Sequence, residues 1–163
     1  RMVDVAVQHE FEKWYRELYP TLVGSLAGAF GDLELAREAA DEAVVRAFEK
    51  WDRVASMASP AGWTYRVAFN FARRKRRREA IERQLYLRVD RAKAVVEGPS
   101  GEIWLEVARL PLRQRMAVVL RHVGGLSEPE IAKIMGINRG GVSTALRCAY
   151  SRMRANMEAD GHV

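Results

Sequence analysis

Residues 127–147, SEPEIAKIMGINRGGVSTALR, constrain the fold more than any other stretch. Ser127 and Glu130 have the spacing of a capping box, and Pro129 falls in the first turn of the helix that box would start. Gly136 suits a left-handed turn. Ala132, four residues earlier, is small where a second helix must cross closely. Asn138 can cap that second helix, which would bury Val142 and Leu146 while Ile137 packs inward. Cap, turn glycine and buried positions agree on a helix-turn-helix. Its outward stripe is Arg139, Ser143 and Arg147 at i, i+4 and i+8, with Thr144 alongside. These are donors suited to base edges and phosphates in a major groove. The plainer alternative is a helical hairpin with a solvated Arg/Ser face. Gly140 and Gly141 weaken the first turn of the reading helix by about 1 kcal/mol each relative to Ala, or they let its backbone approach a phosphate closely.

The remainder also reads as helix. VAVQHEFEKWYRELYP repeats Val7, Phe11, Trp14, Tyr15 and Leu18 at helical spacing, and Pro20 marks a break or a new first turn. TLVGSLAGAFGD follows as a second apolar helix ending at Gly31. A third spans 32–51, capped by Asp32, with Leu35, Ala39, Val44, Val45 and Phe48 mostly on one side. Glu38, Asp41, Glu42, Arg46 and Glu49 crowd its other side. Residues 52–62 read as a loop. GPSG at 98–101 is the best linker candidate, and later helices break at Pro111, Gly124-Gly125 and Gly136. No strand pair or hairpin turn is evident. The expectation is an all-α chain of two small helical domains, 1–80 and 102–163, joined by a linker over 81–101.

Charge is unevenly placed. Residues 1–60 carry 7 Lys/Arg against 11 Asp/Glu, residues 61–94 carry 11 against 3, and residues 95–163 carry 9 against 7; the net charges of −4, +8 and +2 sum to the overall +6. An acidic front and a basic waist suggest two different partner surfaces, one of them for a polyanion. The single cysteine, Cys148, permits no intrachain disulfide and fits a reducing compartment. No stretch approaches a membrane span, and the first residues lack a basic-then-apolar leader pattern. The expected location is cytoplasmic, without membrane insertion.

The helix WTYRVAFNFARRKRRREA, 63–80, ends in six consecutive cations, Arg73 to Arg78. Trp63, Val67 and Phe71 form a core stripe. Tyr65, Phe69, Arg73 and Arg76 form a second face at i, i+4, i+8 and i+11. On an exposed helix this face suits stacking on unpaired bases beside phosphate contacts. Its alternative is burial of both rings against another helix.

At this point the chain resembles the two-domain bacterial sigma factors of the extracytoplasmic-function class, over roughly 8–80 and 102–157. The first part, with AREAADEAVVRAFEKWDRV and SPAGWTYRVAFNFARRKRRR, is similar to sigma region 2. The second, beginning LPLRQRMAVVLRHVGGLSEPEIAKIM, is similar to region 4. The resemblance implies that Glu38, Asp41, Glu42 and Arg46 dock on the β′ clamp of core RNA polymerase. It implies capture of the melted minus-ten element by Tyr65, Phe69, Asn70, Arg73, Arg74, Arg76 and Arg77. It assigns reading of the minus-thirty-five element in promoter DNA to Arg139, Ser143, Thr144 and Arg147, and it implies an inhibitory anti-sigma protein. The family usually has Asp then Gln where Glu38 and Asp41 stand, often Asp at Arg74, and commonly Lys and Arg at Ser143 and Ala145.

Two other classes compete. A free-standing helix-turn-helix regulator would need only residues 102–157, but the first half shows no phospho-acceptor α/β pattern. An enzyme is disfavoured: His9, His122 and His162 are scattered without metal spacing, and there is no phosphate loop or nucleophile motif. No catalytic residue, metal or cofactor is expected.

Overall fold

The computed structural model describes residues 4–85 and 101–161, which form eight helices and no strand. The first, α1 (Val5–Phe30), starts on Asp4, whose carboxylate accepts from the Ala6 amide, and stops at Gly31 in the left-handed region with φ 66°. It runs through Pro20, so the expected break does not occur. Pro20 is exposed, and the backbone bond it removes falls where water can replace it.

Asp32 caps α2 (Leu33–Glu49) by accepting from the Leu35 amide at 3.0 Å. Ala36, Ala39, Ala40, Ala43 and Ala47 are fully buried. Their small side chains let α2 lie close between α1 and α4 (Pro60–Leu85). Between them, where a loop was expected, α3 (Trp51–Ala55) adds one short turn that buries Trp51 and Val54. Val45 and Phe48, assigned to the apolar side of α2, are instead 53% and 47% exposed. The linker expected over 81–101 falls mostly outside the described residues, and its first five residues continue α4.

The second half contains α5 (Glu102–Arg109), α6 (Leu112–His122), α7 (Glu128–Met135) and α8 (Arg139–Ala159). The two halves share one continuous apolar core. Helix α6 lies on α1, and α7 on α4. Glycines make the first contact possible: a methyl group on Gly28 would sit 3.3 Å from Val119 Cγ2, and one on Gly24 would sit 3.7 Å from Val123 Cγ1.

Candidate nucleic-acid interface

The helix-turn-helix forms as its sequence dictates. The Ser127 hydroxyl accepts from the Glu130 amide, and the Glu130 carboxylate accepts from the Ser127 amide at 2.9 Å. These bonds hold the Glu130 carboxyl below the ordinary glutamate range, helped by Ser59. Gly136 ends α7 at φ 67°. Asn138 caps α8, its Oδ1 accepting from the Gly141 amide at 2.7 Å. Val142 and Leu146 are buried.

This leaves Arg139, Ser143, Thr144 and Arg147 exposed together on α8. Glu128, in the first turn of α7, orders the start of that stripe. Its Oε2 accepts from Ser143 Oγ at 3.1 Å and lies 3.9 Å from Arg139 Nε. Beyond Arg147 the stripe continues into residues the sequence reading missed. Arg121, Arg147, Tyr150, Ser151 and Arg154 line an open groove of about 540 Å³ beside Ser143. Ser151 and Arg154 follow Arg147 at i+4 and i+7, so the helical repeat contained that signal. Arg121 needed tertiary structure: it reaches the groove from α6 while donating to the Leu126 carbonyl at 3.0 Å.

The basic helix α4 departs from expectation. Tyr65 and Phe69 are 1% and 0% exposed, so they offer no face to an unpaired base in this conformation. The Tyr65 ring stacks on Phe69 at 6.2 Å, and its hydroxyl meets Ser25 Oγ at 3.1 Å. Burial pushes the Tyr65 phenol up to about 12. The physical reason is that α4 is flanked on more than one side: α1 and α2 take one face, and α7 with the Gly124 turn after α6 takes the next.

The six cations are accordingly divided. Arg73 donates to the Ile134 and Met135 carbonyls of α7 and to Asn70 Oδ1. Lys75 pairs with Glu38. Arg76 donates to the Phe30 carbonyl at 2.9 Å and lies 3.5 Å from Asp32. Arg74, Arg77 and Arg78 lie along a groove of about 460 Å³ with Arg46, Phe71 and Ile81. Among the described residues, Phe71 is therefore an aromatic ring that shares a surface with arginines given no hydrogen bond or ion pair, Arg74, Arg77 and Arg78.

On α2, Glu38, Asp41, Glu42 and Arg46 all reach the surface, each with a partner. Asp41 accepts from the Tyr19 hydroxyl at 2.5 Å. Glu42 and Arg46 bond each other at 2.7 Å. Val45 and Phe48 sit among them, giving this face an apolar centre with a charged rim. That pattern is typical of protein–protein contacts.

Comparison with known proteins agrees with this geometry. Residues 100–153 match the family model for sigma-70, region 4. An uncharacterized protein of Rhizobium meliloti is 29% identical over 152 residues, which is 83% of this chain; the chain spans only 36% of that relative's length. The RNA polymerase sigma-E factor of Streptomyces avermitilis is 25% identical over 154 residues, covering 92% of this chain and 86% of that protein. Among solved structures, the sigma factor RpoE of Bartonella quintana, in complex with the anti-sigma factor NepR, superposes with a TM-score of 0.78 at 18% identity, over 93% of this chain and 98% of that one. The fold is that of a sigma factor. Residues 100–153 carry the match to sigma-70, region 4, and over most of its length the chain is similar to these sigma factors.

Proposed function

We propose that this protein is a promoter-specificity subunit of bacterial RNA polymerase, a DNA-binding initiation factor without catalysis of its own. The observation that carries the reading is the pairing of two surfaces in one chain. Helix α8 presents Arg139, Ser143, Thr144 and Arg147 as donors for duplex DNA. Helix α2 presents Val45 and Phe48 inside a ring of Glu38, Asp41, Glu42 and Arg46, a surface for a protein partner. In this reading α8 takes the minus-thirty-five element, α2 docks on the β′ clamp, and α4 serves the melted minus-ten element. Arg74 and Arg77, with Phe71 and Arg78, are the α4 residues placed to meet a strand. An anti-sigma protein would hold the chain inactive in the cytoplasm. A free-standing regulator of duplex DNA would have no use for the α2 face.

Gel filtration with bacterial core polymerase tests the assignment. The expected result is co-elution, followed by specific initiation on a subset of promoters. Elution apart from the polymerase, with unaltered duplex binding by the chain alone, would transfer the protein to the regulator class.

A further inference from the structure

Glu128 and Ser143 stand on different helices and share one hydrogen. Ser143 Oγ donates to Glu128 Oε2 at 3.1 Å, across the contact between α7 and α8. The carboxylate is well placed to hold it. Glu128 is the first residue of α7, where the helix dipole favours a negative charge. It is half-buried at the edge of the α8 groove. Arg139 Nε, 3.9 Å away, offsets its charge on a surface that must approach phosphates.

A serine hydroxyl carries one hydrogen and two acceptor lone pairs. By itself it reads a base edge ambiguously: it can donate to guanine or thymine, or accept from adenine or cytosine. Here the hydrogen is committed to Glu128, and lone pairs alone face outward. The promoter reading takes Ser143 as a donor by residue type; this bond reverses that role. Inside a helix a serine hydroxyl otherwise turns to the carbonyl one turn back, and an ionised carboxylate is the stronger acceptor.

The position of Ser143 gives the reversal its consequence. It is exposed and one turn after Arg139, the first residue of α8. The first turns of a recognition helix are those that meet base edges. A phosphodiester has no hydrogen to give, so a serine held in this way has nothing to offer the DNA backbone. Its remaining partners in a major groove are the amines, N6 of adenine and N4 of cytosine. Resting on the promoter reading above, we infer that Glu128 is a positioning residue that sets specificity. It makes Ser143 an acceptor only, so that one base of the duplex element is read as adenine or cytosine on the strand that α8 faces.

Selection from a randomised duplex tests this, with the full chain bound to core polymerase. Wild type is compared with Ser143→Ala, Glu128→Ala and the double variant. Glu128→Leu repeats the second variant while keeping the bulk of the side chain, and thermal melts establish which variants are folded. Wild type should favour adenine or cytosine over guanine and thymine by about three- to tenfold at one position. Ser143→Ala should lose that preference. Glu128→Ala and Glu128→Leu should lose it too, because the freed hydroxyl can then donate to guanine or thymine. In the Ser143→Ala background, removing Glu128 should change nothing further at that position. A guanine or thymine preference in wild type, or an amine preference that survives the loss of Glu128, overturns the inference. So does a Glu128 effect that persists without Ser143, which would make Glu128 itself the reader. Enrichment indifferent to both residues overturns the inference and leaves the promoter reading standing. A chain that enriches no sequence, with polymerase or alone, overturns both.

Discussion

The Tyr65 hydroxyl donates to Ser25 Oγ across the buried contact between α4 and α1. The direction follows from proton count. Ser25 Oγ already donates its one hydrogen to the Thr21 carbonyl at 2.8 Å, so at 3.1 Å it can only accept from Tyr65. Tyr65→Phe removes the donor and leaves Ser25 satisfied. The expected loss is about 0.5–1.5 kcal/mol in a urea melt. Tyr65→Ala should cost about 3–5 kcal/mol, because it also empties a core site. A near-neutral Tyr65→Ala would return this ring to the surface role its sequence position suggested.

The Glu130 carboxyl gives the fold an acid limit. Its bonds to Ser127 hold its folded-state value below the ordinary 4.5. A depressed carboxyl contributes stability that is present above the unfolded value and lost as pH falls through the folded one. Thermal melts should therefore show a loss beginning near pH 4.5 and growing below it. Glu130→Gln should be less stable than wild type at neutral pH, and the two should converge as the pH drops. Parallel curves from pH 6 to 3 would contradict this account.

Gly140 and Gly141 can be separated by substitution. A Cβ on Gly141 would stand 3.2 Å from both Arg113 Nη2 and Asn138 Oδ1, whereas one on Gly140 meets only Asn138 Oδ1, at 3.6 Å. Gly140→Ala should stabilise the chain by about 0.5–1 kcal/mol, and Gly141→Ala should not. If duplex affinity falls in the stabilised Gly140→Ala variant, the glycine is there for backbone approach to phosphate. Unchanged affinity would make it a local defect in an otherwise good helix.

The α4 surface predicts a split between charge and ring. Replacing Arg74, Arg77 and Arg78 with Ala should lower the slope of log affinity against log salt for single-stranded DNA by about 0.7 per lost phosphate contact. Phe71→Ala should leave that slope unchanged while weakening strand binding by about 1–3 kcal/mol. Titrations of the polymerase complex on a pre-melted template at three salt concentrations separate the two. A Phe71→Ala variant binding like wild type would reduce this groove to an electrostatic one.

What could be read from the sequence was what is local. Ser127, Glu130, Gly136 and Asn138 act on neighbours within four residues, so the helix-turn-helix and its exposed stripe follow from the chain alone. The fate of Tyr65 and Phe69 depended on contacts with Ser25, Phe30 and Gly124 that each span 39 residues or more and that no periodicity in α4 reports. Apolar residues on two faces of α4 mean two neighbours, and a wheel cannot distinguish a neighbouring helix from a nucleic-acid strand. The division of the basic run has the same origin: Glu38, Asp32 and the end of α7 select Lys75, Arg76 and Arg73, and leave Arg74, Arg77 and Arg78.

The apolar seam between the halves also has a calorimetric consequence. Separating α1 from α6 would wet Gly28, Val119, Tyr65 and Gly124, and newly hydrated apolar surface raises heat capacity. Any partner that pulls the halves apart adds this positive contribution to the negative one from the surface it covers. Its measured heat-capacity change would be smaller in magnitude than its own footprint implies. A Gly28→Leu side chain, too large for the contact with Val119, should wet the seam beforehand, and the same partner should then show the full value.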